Sequence, residues 1–454
     1  MESPFAGSPL LSPIFTSQAV RAIFSDRMIL QGMLRFELAL AEAEAELGVI
    51  PANAVPLIRQ SCNAGDYDLE EIGYAAEFAG NVAIPLVKAL TERTPEEARG
   101  FVHWGVTSQD TIDTAFMLIA RHAFVVIRTD IKETIGTLIE MADAHRATLM
   151  PGRTLMQQAL PITFGYKAAV WLSGLTEAAR RLRRVADESL ALQFGGAAGT
   201  LAALGEDGLK VRGALARRLE LNEAPITWHA ERSRIADIAA ALAGLSGACA
   251  KVASDVLLLM QTEVAEAFEP SAPGKGGSST MPHKRNPVGA AAIRANHRRI
   301  VGLTTTILIA LEGEHERAPG AWAAEWETMR ELFCLSAGSL ERLRDMLAGL
   351  EVDSGRMRKN LDAALGLPLA ESLMMALAPA IGRMEAHRRV EAASRLAIAE
   401  QRSLGEVAKA EPGIAGVLSA KTIETALDPA TYLGCSDGMI DAALAAAANE
   451  MEMD

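Results

Sequence analysis

The chain has 454 residues, of which 50% are apolar and 22% are charged, and its formal net charge is −13. This composition excludes a disordered chain, and the acidic balance argues against nonspecific binding to nucleic acid, which needs a basic face. The 4 cysteines lie far apart and form no CxxC pair, so the sequence predicts neither a disulfide framework nor a zinc site.

The first segment, MESPFAGSPLLSPIF, has neither a basic start nor a long apolar core, so it does not resemble a signal peptide. The sequence also lacks an apolar run of about 18 residues, the mark of a membrane-spanning helix. We therefore expect a cytoplasmic protein that has no membrane partner and no nucleic-acid partner.

A helix of about 22 residues is predicted after Ser25, because Leu30, Leu34 and the residues that follow them repeat at helical spacing. This helix should stop at Gly48. Shorter helical patterns follow it, so residues 1–110 are predicted to form an N-terminal helical domain.

The middle of the chain carries amphipathic patterns of unusual length. Helices are predicted at about 111–147, 162–191, 232–267, 287–311 and 322–350. Their lengths of about 25–37 residues exceed the usual mean of ~11–12, and such long helices bury their apolar stripes by lying side by side. The pattern at 232–267 is apolar on more than one face, from which we infer packing between subunits.

The predicted fold is therefore all-α, with three helical domains. Residues 111–352 form the central one, a long five-helix bundle that assembles into an oligomeric core. Residues 353–454 have shorter helical patterns interrupted by GLPLAE, EPGIAG and LDPATYLG, and they form the C-terminal helical domain.

The loop GKGGSSTMPHKRNP, residues 274–287, separates two helical patterns and is rich in glycines, hydroxyl groups and cations. A surface turn is the ordinary interpretation of such a connector. A phosphate-binding loop does not fit, because Lys275 is followed by glycine and no strand precedes it. A mobile catalytic loop is the third interpretation, since desolvated serines held by cations can carry protons.

Two further features of this loop favour chemistry on a carboxylate. Pro287 marks the first turn of the next helix, whose free N–H groups would attract an anion. Lys284 adds a positive charge beside it. Together they suit a carboxylate that gains negative charge while a proton joins the neighbouring carbon.

The segment GGSSTMPHKRNP resembles the signature loop of the fumarase/aspartase superfamily, GSSxMPxKxNP, at every fixed position. The resemblance implies an all-α protein with a central five-helix bundle, a homotetramer, and active sites shared between subunits. It also implies that Ser278 transfers the proton and that Lys284 and Asn286 support the substrate carboxylate. Ser279 and Met281 in the same loop are the substrate-binding residues that the resemblance implies.

Two more segments resemble conserved regions of this superfamily. HWGVTSQDTID nominates Thr107, Ser108 and Gln109 as substrate-binding residues, although a Thr-Ser pair before a helix is more often a cap. His103 in this segment is a second candidate for the catalytic acid, and a hydrogen-bonded core histidine is the alternative. PGRTLMQQALPITFG matches the second region and nominates Arg153 and Gln157.

The second region departs from the superfamily pattern. Leu155 stands where most members have a histidine, and Ala291 stands where its glutamate partner is expected. Because one buried charge left alone would be unfavourable by several kcal/mol, the joint loss of both partners is physically coherent. This loss, with segments such as LQFGGAAGTLAALG and EHERAPGAWAAEWET, resembles the branch that lactonizes carboxymuconates.

This branch implies an intramolecular addition of a substrate carboxylate to a C=C bond, without a metal or an organic cofactor. The substrate is a small tricarboxylate, so cationic partners are needed, and His229 and Arg317 join Lys284 and Arg153 as candidates. Each could instead form a structural ion pair, and Arg232 could equally brace a helix. The alternatives are a fumarate-releasing lyase like adenylosuccinate or argininosuccinate lyase, and a non-catalytic structural protein.

Overall fold

The computed structural model of the protein describes residues 8–272, 274–277 and 280–453. The α-helices are, in chain order, α1 (Ser12–Phe15), α2 (Gln18–Ile23), α3 (Asp26–Glu46), α4 (Ala54–Arg59), α5 (Leu69–Ala79), α6 (Ala83–Arg93), α7 (Ser108–Ala144), α8 (Phe164–Ser189), α9 (Gly208–Leu219), α10 (Ser233–Leu259), α11 (Val288–Ile309), α12 (Ala321–Leu347), α13 (Ser354–Asp362), α14 (Ala370–Ile381), α15 (Arg383–Glu400), α16 (Leu404–Ala410), α17 (Pro412–Ala415), α18 (Ala420–Ala426) and α19 (Ser436–Glu452). The strands are β1 (Leu149–Thr154), β2 (Gln157–Thr163), β3 (Ala191–Leu192), β4 (Asn222–Glu223), β5 (Ala267–Phe268) and β6 (Glu351–Val352).

The all-α prediction and the five long helices are confirmed. These helices are α7, α8, α10, α11 and α12. Helix α10 ends at Leu259 instead of near residue 267, because the chain turns there and β5 pairs with β6. Helix α3 begins after Ser25, whose hydroxyl accepts the N–H of Met28, and a left-handed Gly48 lies just beyond its end.

The first of two compact units comprises Met1–Ile131, Glu177–Ala250 and Ala292–Leu343. Parts of all five long helices pack together in it. The rings of Phe124 and Phe333 join α7 to α12 with centroids 5.2 Å apart. A hydrogen bond of 3.2 Å between Ser246 and His297 joins α10 to α11. Leu30 and Leu34 of α3 share one buried core with Ile58 of α4 and with Leu86 and Leu90 of α6.

The second unit comprises Lys132–Thr176, Lys251–Ala291 and Arg344–Asp454. It contains the β1–β2 hairpin and the remaining parts of the long helices. The indole N–H of Trp171 donates to Asp255 over 2.6 Å and joins α8 to α10. The C-terminal helices surround their own core, which includes Leu373, Leu377, Val390, Leu404, Ile414 and Ile423.

Helix α10 is long and apolar enough to cross a membrane by composition, with a mean hydropathy of 1.5. Half of that stretch is buried inside the protein, and Leu242, Leu245 and Cys249 are fully inaccessible to solvent. A core helix has the same composition, so α10 fits the bundle role that its length predicted, and the packing between subunits inferred from its apolar faces stays a prediction.

The β1–β2 hairpin was not predicted from the sequence. Its two-residue turn consists of Leu155 and Met156, whose φ angles are 48° and 65°. Such turns favour Asn-Gly, because both central residues need a left-handed backbone that L side chains adopt with strain. Both side chains are also exposed, Leu155 to 96% and Met156 to 72%. The turn therefore combines backbone strain with exposed apolar surface.

Candidate active site

The segment that precedes α7 brings together three of the predicted substrate-binding residues in the first unit. The guanidinium of Arg317 donates to the hydroxyl of Thr107 and to the side-chain oxygen of Gln109, each over 3.0 Å. The hydroxyl of Thr107 therefore contacts Arg317 instead of capping α7. Ser108 is the first residue of α7 and is partly buried beside them.

Asp110 fixes the backbone around this cluster. Its carboxylate accepts the N–H of Thr107 over 3.1 Å and the N–H groups of Gly195 and Gly196 over 3.0 and 2.8 Å. It also contacts the Nε2 of His229 over 2.7 Å. His229 is 2% exposed, so it orients Asp110 from within the core, and the structural alternative is favoured for it.

Arg232 is the centre of a buried ion network in the same unit. It donates to Asp113 over 2.7 Å and to Glu325 over 2.9 Å, and all three side chains are nearly inaccessible. Although burial lowers its pKa, the two carboxylates raise the pKa of Arg232 overall. Asp113 also accepts from Gln109 over 3.3 Å, so this network extends to the Arg317 cluster.

His103 lies in the same segment and contacts a buried carboxylate on α3. Its Nδ1 is 2.8 Å from Glu37, which also accepts the hydroxyl proton of Thr111 over 2.9 Å. Burial lowers the pKa of His103, but Glu37 and Asp110 outweigh burial and raise it above its usual value. His103 is therefore held towards its protonated form.

The signature loop belongs to the second unit, and Ser278 and Ser279 lie outside the described residues. The loop closes where the N–H of Asn286 donates to the carbonyl of Gly276 over 2.8 Å. Gly276 has a φ of 66°, and a Cβ there would lie 2.5 Å from the carbonyl oxygen of Asn286, so only glycine fits. Met281 and Lys284 are exposed in this loop.

The helix that follows the loop does not offer its N-terminus to an anion, which corrects the sequence prediction. The N–H groups of Gly289 and Ala290 donate to the carboxylate of Glu269 over 3.1 and 2.7 Å. Glu269 is 3% exposed. The anion at this helix end is therefore supplied by the protein, and Arg285 pairs with Glu351 over 2.7 Å nearby.

We expect Glu269→Ala to destabilise the protein by about 1–3 kcal/mol, because the buried N–H of Ala290 and the partly buried N–H of Gly289 would lose their acceptor. Glu269→Gln keeps one acceptor oxygen and should have a smaller effect. Urea unfolding followed by circular dichroism compares the two variants. Equal stability of Glu269→Ala and the unmodified protein would contradict this role for Glu269.

The second predicted region lies on the hairpin of the second unit. Arg153 donates with both terminal nitrogens to Glu266, over 2.8 and 2.6 Å, and Asn360 donates to the same carboxylate. Because Glu266 is fully buried, Arg153 forms the structural ion pair that was its alternative. Gln157 is exposed and starts β2 next to the strained turn.

These contacts reduce the number of cations that are free to bind a carboxylate of the predicted tricarboxylate substrate. Arg153 and His229 contact buried carboxylates, and so does Arg232. Arg317 contacts only uncharged groups among the described residues, namely Thr107, Gln109 and the carbonyl of Ala197. Arg317 and the exposed Lys284 are therefore the predicted cations whose charge is available to a ligand.

The sequence analysis did not nominate Glu37, although the spacing of the residues in α3 indicates an acid on a buried face. Glu37 falls at helical spacing between Leu34 and Ala41, on the apolar face of α3, and Glu44 continues the same face. An acid on a buried face needs a partner or a raised pKa. Burial and the charge of Glu37 raise the pKa of Glu44 to about 9.

Within the described ranges, no group of three or more His, Cys, Asp or Glu could hold a metal ion.

Comparisons with known proteins find similarity over nearly the whole chain. A family model described as "Lyase" matches residues 15–302, and one described as "Adenylosuccinate lyase C-terminus" matches residues 366–443. The 3-carboxy-cis,cis-muconate cycloisomerase of Bradyrhizobium diazoefficiens is 49% identical over 96% of this chain and 97% of its own. The cycloisomerase of the same name from Pseudomonas aeruginosa is 46% identical over 98% of this chain and 97% of its own.

Among solved structures, the fold of this chain is similar to that of a lactonizing enzyme. The crystal structure of the 3-carboxy-cis,cis-muconate lactonizing enzyme from Pseudomonas putida superimposes with a TM-score of 0.93. Its sequence is 45% identical, and the match covers 98% of this chain and 100% of that one.

Proposed function

The chain belongs to the lyase family whose model spans more than half of its length, and we propose that it converts 3-carboxy-cis,cis-muconate into 4-carboxymuconolactone. The observation that carries this proposal is the 49% identity, over 96% of the chain, to a cycloisomerase of that substrate. The joint absence of the histidine and glutamate at Leu155 and Ala291 supports it. This activity places the protein in the bacterial degradation of protocatechuate through β-ketoadipate.

The reaction is a carboxylate addition within one molecule. A carboxylate oxygen of the substrate forms a C–O bond to the carbon beta to a second carboxylate. The electron pair of the C=C bond moves towards this second carboxylate, and the carbon alpha to it then takes a proton. Holding the diene folded supplies much of the rate by proximity, and cations stabilise the intermediate.

Roles for the signature loop follow from its resemblance and belong to this proposal. Ser278 delivers the proton, and Lys284 and Asn286 hold the carboxylate that becomes more negative. Ser279 and Met281 border the substrate, as do Ser108 and Gln157. The protein acts in the cytoplasm as a homotetramer whose active sites are shared between subunits. The division of the chain into three helical domains, with boundaries at residues 110 and 352, remains a prediction.

We assign Arg317 to a substrate carboxylate, because its guanidinium contacts only uncharged protein groups. Arg317→Gln should raise KM for 3-carboxymuconate about 10–100-fold, which corresponds to the loss of about 1.5–3 kcal/mol for a hydrogen bond to a charged group. Steady-state kinetics measures KM, and urea unfolding should show little change in stability.

Arg153→Gln is the matched control for this experiment. It leaves Glu266 buried without its cation, so it should lower stability while KM changes less than in Arg317→Gln. The opposite pattern, a larger rise of KM in Arg153→Gln, would show that Arg153 is the substrate cation.

The proposed activity is tested by mixing the pure protein with 3-carboxymuconate and following the absorbance of the conjugated diene. We expect the absorbance to disappear as the lactone forms. Parallel reactions contain adenylosuccinate or argininosuccinate and are analysed for fumarate. Release of fumarate without loss of the diene would identify a lyase, and inactivity on all three substrates would favour a structural protein.

A further inference from the structure

Glu37 is an acid on the apolar face of α3 that the proposed function does not use. Its side chain is 1% exposed, and it contacts His103, which lies in the segment before α7. We propose that Glu37 is a positioning residue, which holds His103 as a protonated imidazolium so that His103 supplies the proton consumed by each lactonization. This inference rests on the proposed function for its substrate.

The geometry determines which nitrogen of His103 can donate a proton for the reaction. Nδ1 lies 2.8 Å from Glu37, so it is the nitrogen that the buried carboxylate holds. Nε2 is on the other edge of the ring, and the side chain as a whole is 19% exposed. The ring is therefore anchored at its buried edge, in the arrangement by which a carboxylate orients an acid-base histidine.

Glu37 is itself held in place. Its Oε1 accepts the hydroxyl proton of Thr111 over 2.9 Å in addition to contacting His103. Its Oε2 is buried and has no hydrogen-bond partner in the described part of the chain. A buried carboxylate in such a setting is stabilised chiefly by a nearby cation, and the imidazolium of His103 supplies that charge.

The charged groups around the dyad all favour a cationic His103. Burial lowers its pKa, whereas Glu37 from α3 and Asp110 from α7 raise it, and the net direction is upward. Burial and the charge of Glu37 raise the pKa of Glu44 to about 9 and that of Cys62 to about 12. Both are uncharged at neutral pH, so Glu37 is the buried anion that faces the imidazole.

The backbone at His103 supports a functional role. Its φ is 57°, which places a residue other than glycine in the left-handed region. Such a conformation is unfavourable and persists where surrounding contacts determine it. The bond to Glu37 is one such contact, and it holds the ring next to the segment that carries Thr107 and Gln109.

The chemistry needs one proton per turnover. The substrate trianion takes up one H⁺ and becomes a lactone dianion, since one carboxylate is converted into the ring ester. In our proposal the Nε2–H bond of His103 breaks as its proton is passed to the group that protonates the alpha carbon, and neutral imidazole remains. Water then protonates the imidazole again, and no oxidant or reductant is involved.

The test compares Glu37→Gln with Glu44→Gln. Both substitutions conserve shape on the same buried face of α3, but only the first removes a negative charge at neutral pH. For Glu37→Gln we expect kcat to fall about 10²-fold, within the range of a positioned acid, and the alkaline limb of the kcat profile to move to lower pH. Glu44→Gln should leave the profile in place.

A second measurement needs neither substrate nor turnover. Diethyl pyrocarbonate acylates neutral imidazoles, and peptide mass mapping after reaction between pH 6 and 9 isolates His103 from the other 7 histidines of the 8 in the chain. In Glu37→Gln, His103 should react at lower pH than in the unmodified protein or in Glu44→Gln. An unchanged acylation profile would overturn the dyad.

The two measurements separate this inference from the proposed function. If the protein does not convert 3-carboxymuconate, the proposed function fails, and the acylation profile still decides whether Glu37 holds His103 protonated. If turnover is present, a Glu37→Gln profile that coincides with that of the unmodified protein refutes the role of His103 as the proton source.

Discussion

Ser278→Ala should abolish the turnover of 3-carboxymuconate, with kcat falling at least about 10³-fold. Without a positioned proton carrier at the alpha carbon, the intermediate returns to substrate, and proton transfer by a positioned group contributes about 10²–10⁴-fold to a rate. KM should change little, because Arg317 and Lys284, which we propose as partners of the substrate carboxylates, are unchanged. Stopped-flow absorbance of the diene measures kcat, and size-exclusion chromatography verifies that the oligomer is intact.

Ser271→Ala is the matched control for this loss. Ser271 is an exposed hydroxyl on the segment that leads into the signature loop, and no role is assigned to its side chain. Its variant should turn over substrate at the rate of the unmodified protein. Near-normal activity of Ser278→Ala would transfer the proton delivery entirely to another group, of which His103 is the first candidate.

Arg232→Met should destabilise the protein by about 3–5 kcal/mol, the typical effect of removing one partner from a buried ion network. Asp113 and Glu325 would remain buried without the cation that lies between them. The pKa of Glu325, already raised by burial, would rise further, so the variant should gain a proton on folding. Chemical denaturation at pH 6 and pH 8 measures both effects, and the variant should be less stable at the higher pH.

Arg299→Met provides the comparison for an exposed ion pair. Arg299 and Glu331 are about half exposed, so this variant should lose at most about 1 kcal/mol. A second variant that replaces both Arg232 and Glu325 by methionine should recover part of the lost stability, since fewer unpaired charges remain buried. If Arg232→Met is as stable as Arg299→Met, the network is not a determinant of stability.

The sequence predicted the helices well because their signal is local. Ser25 and Gly48 bracket α3 as cap residues, and long apolar stripes defined the five bundle helices to within a few residues, apart from the early end of α10. Thr107, Gln109 and Arg317 were nominated through their segments, and the structure places the three side chains in contact, although the sequence contains no distance between them.

Partners that are remote in the chain were not predictable. Arg153 and Glu266 are 113 residues apart, and Arg232 and Asp113 are 119 apart, so no local pattern indicates that these charges meet. The capping of α11 by Glu269 was missed for the same reason. The β1–β2 hairpin was missed because its turn lacks the glycine and asparagine that announce such turns.

That hairpin turn has a consequence for attempts to make the protein more heat-resistant. Replacing Leu155 and Met156 by Asn and Gly would relieve the strain of the left-handed backbone and remove exposed apolar surface. Libraries of variants selected for heat resistance should therefore be enriched first in substitutions at these two positions. Assaying the turnover of the same variants tests whether the gain in stability lowers activity.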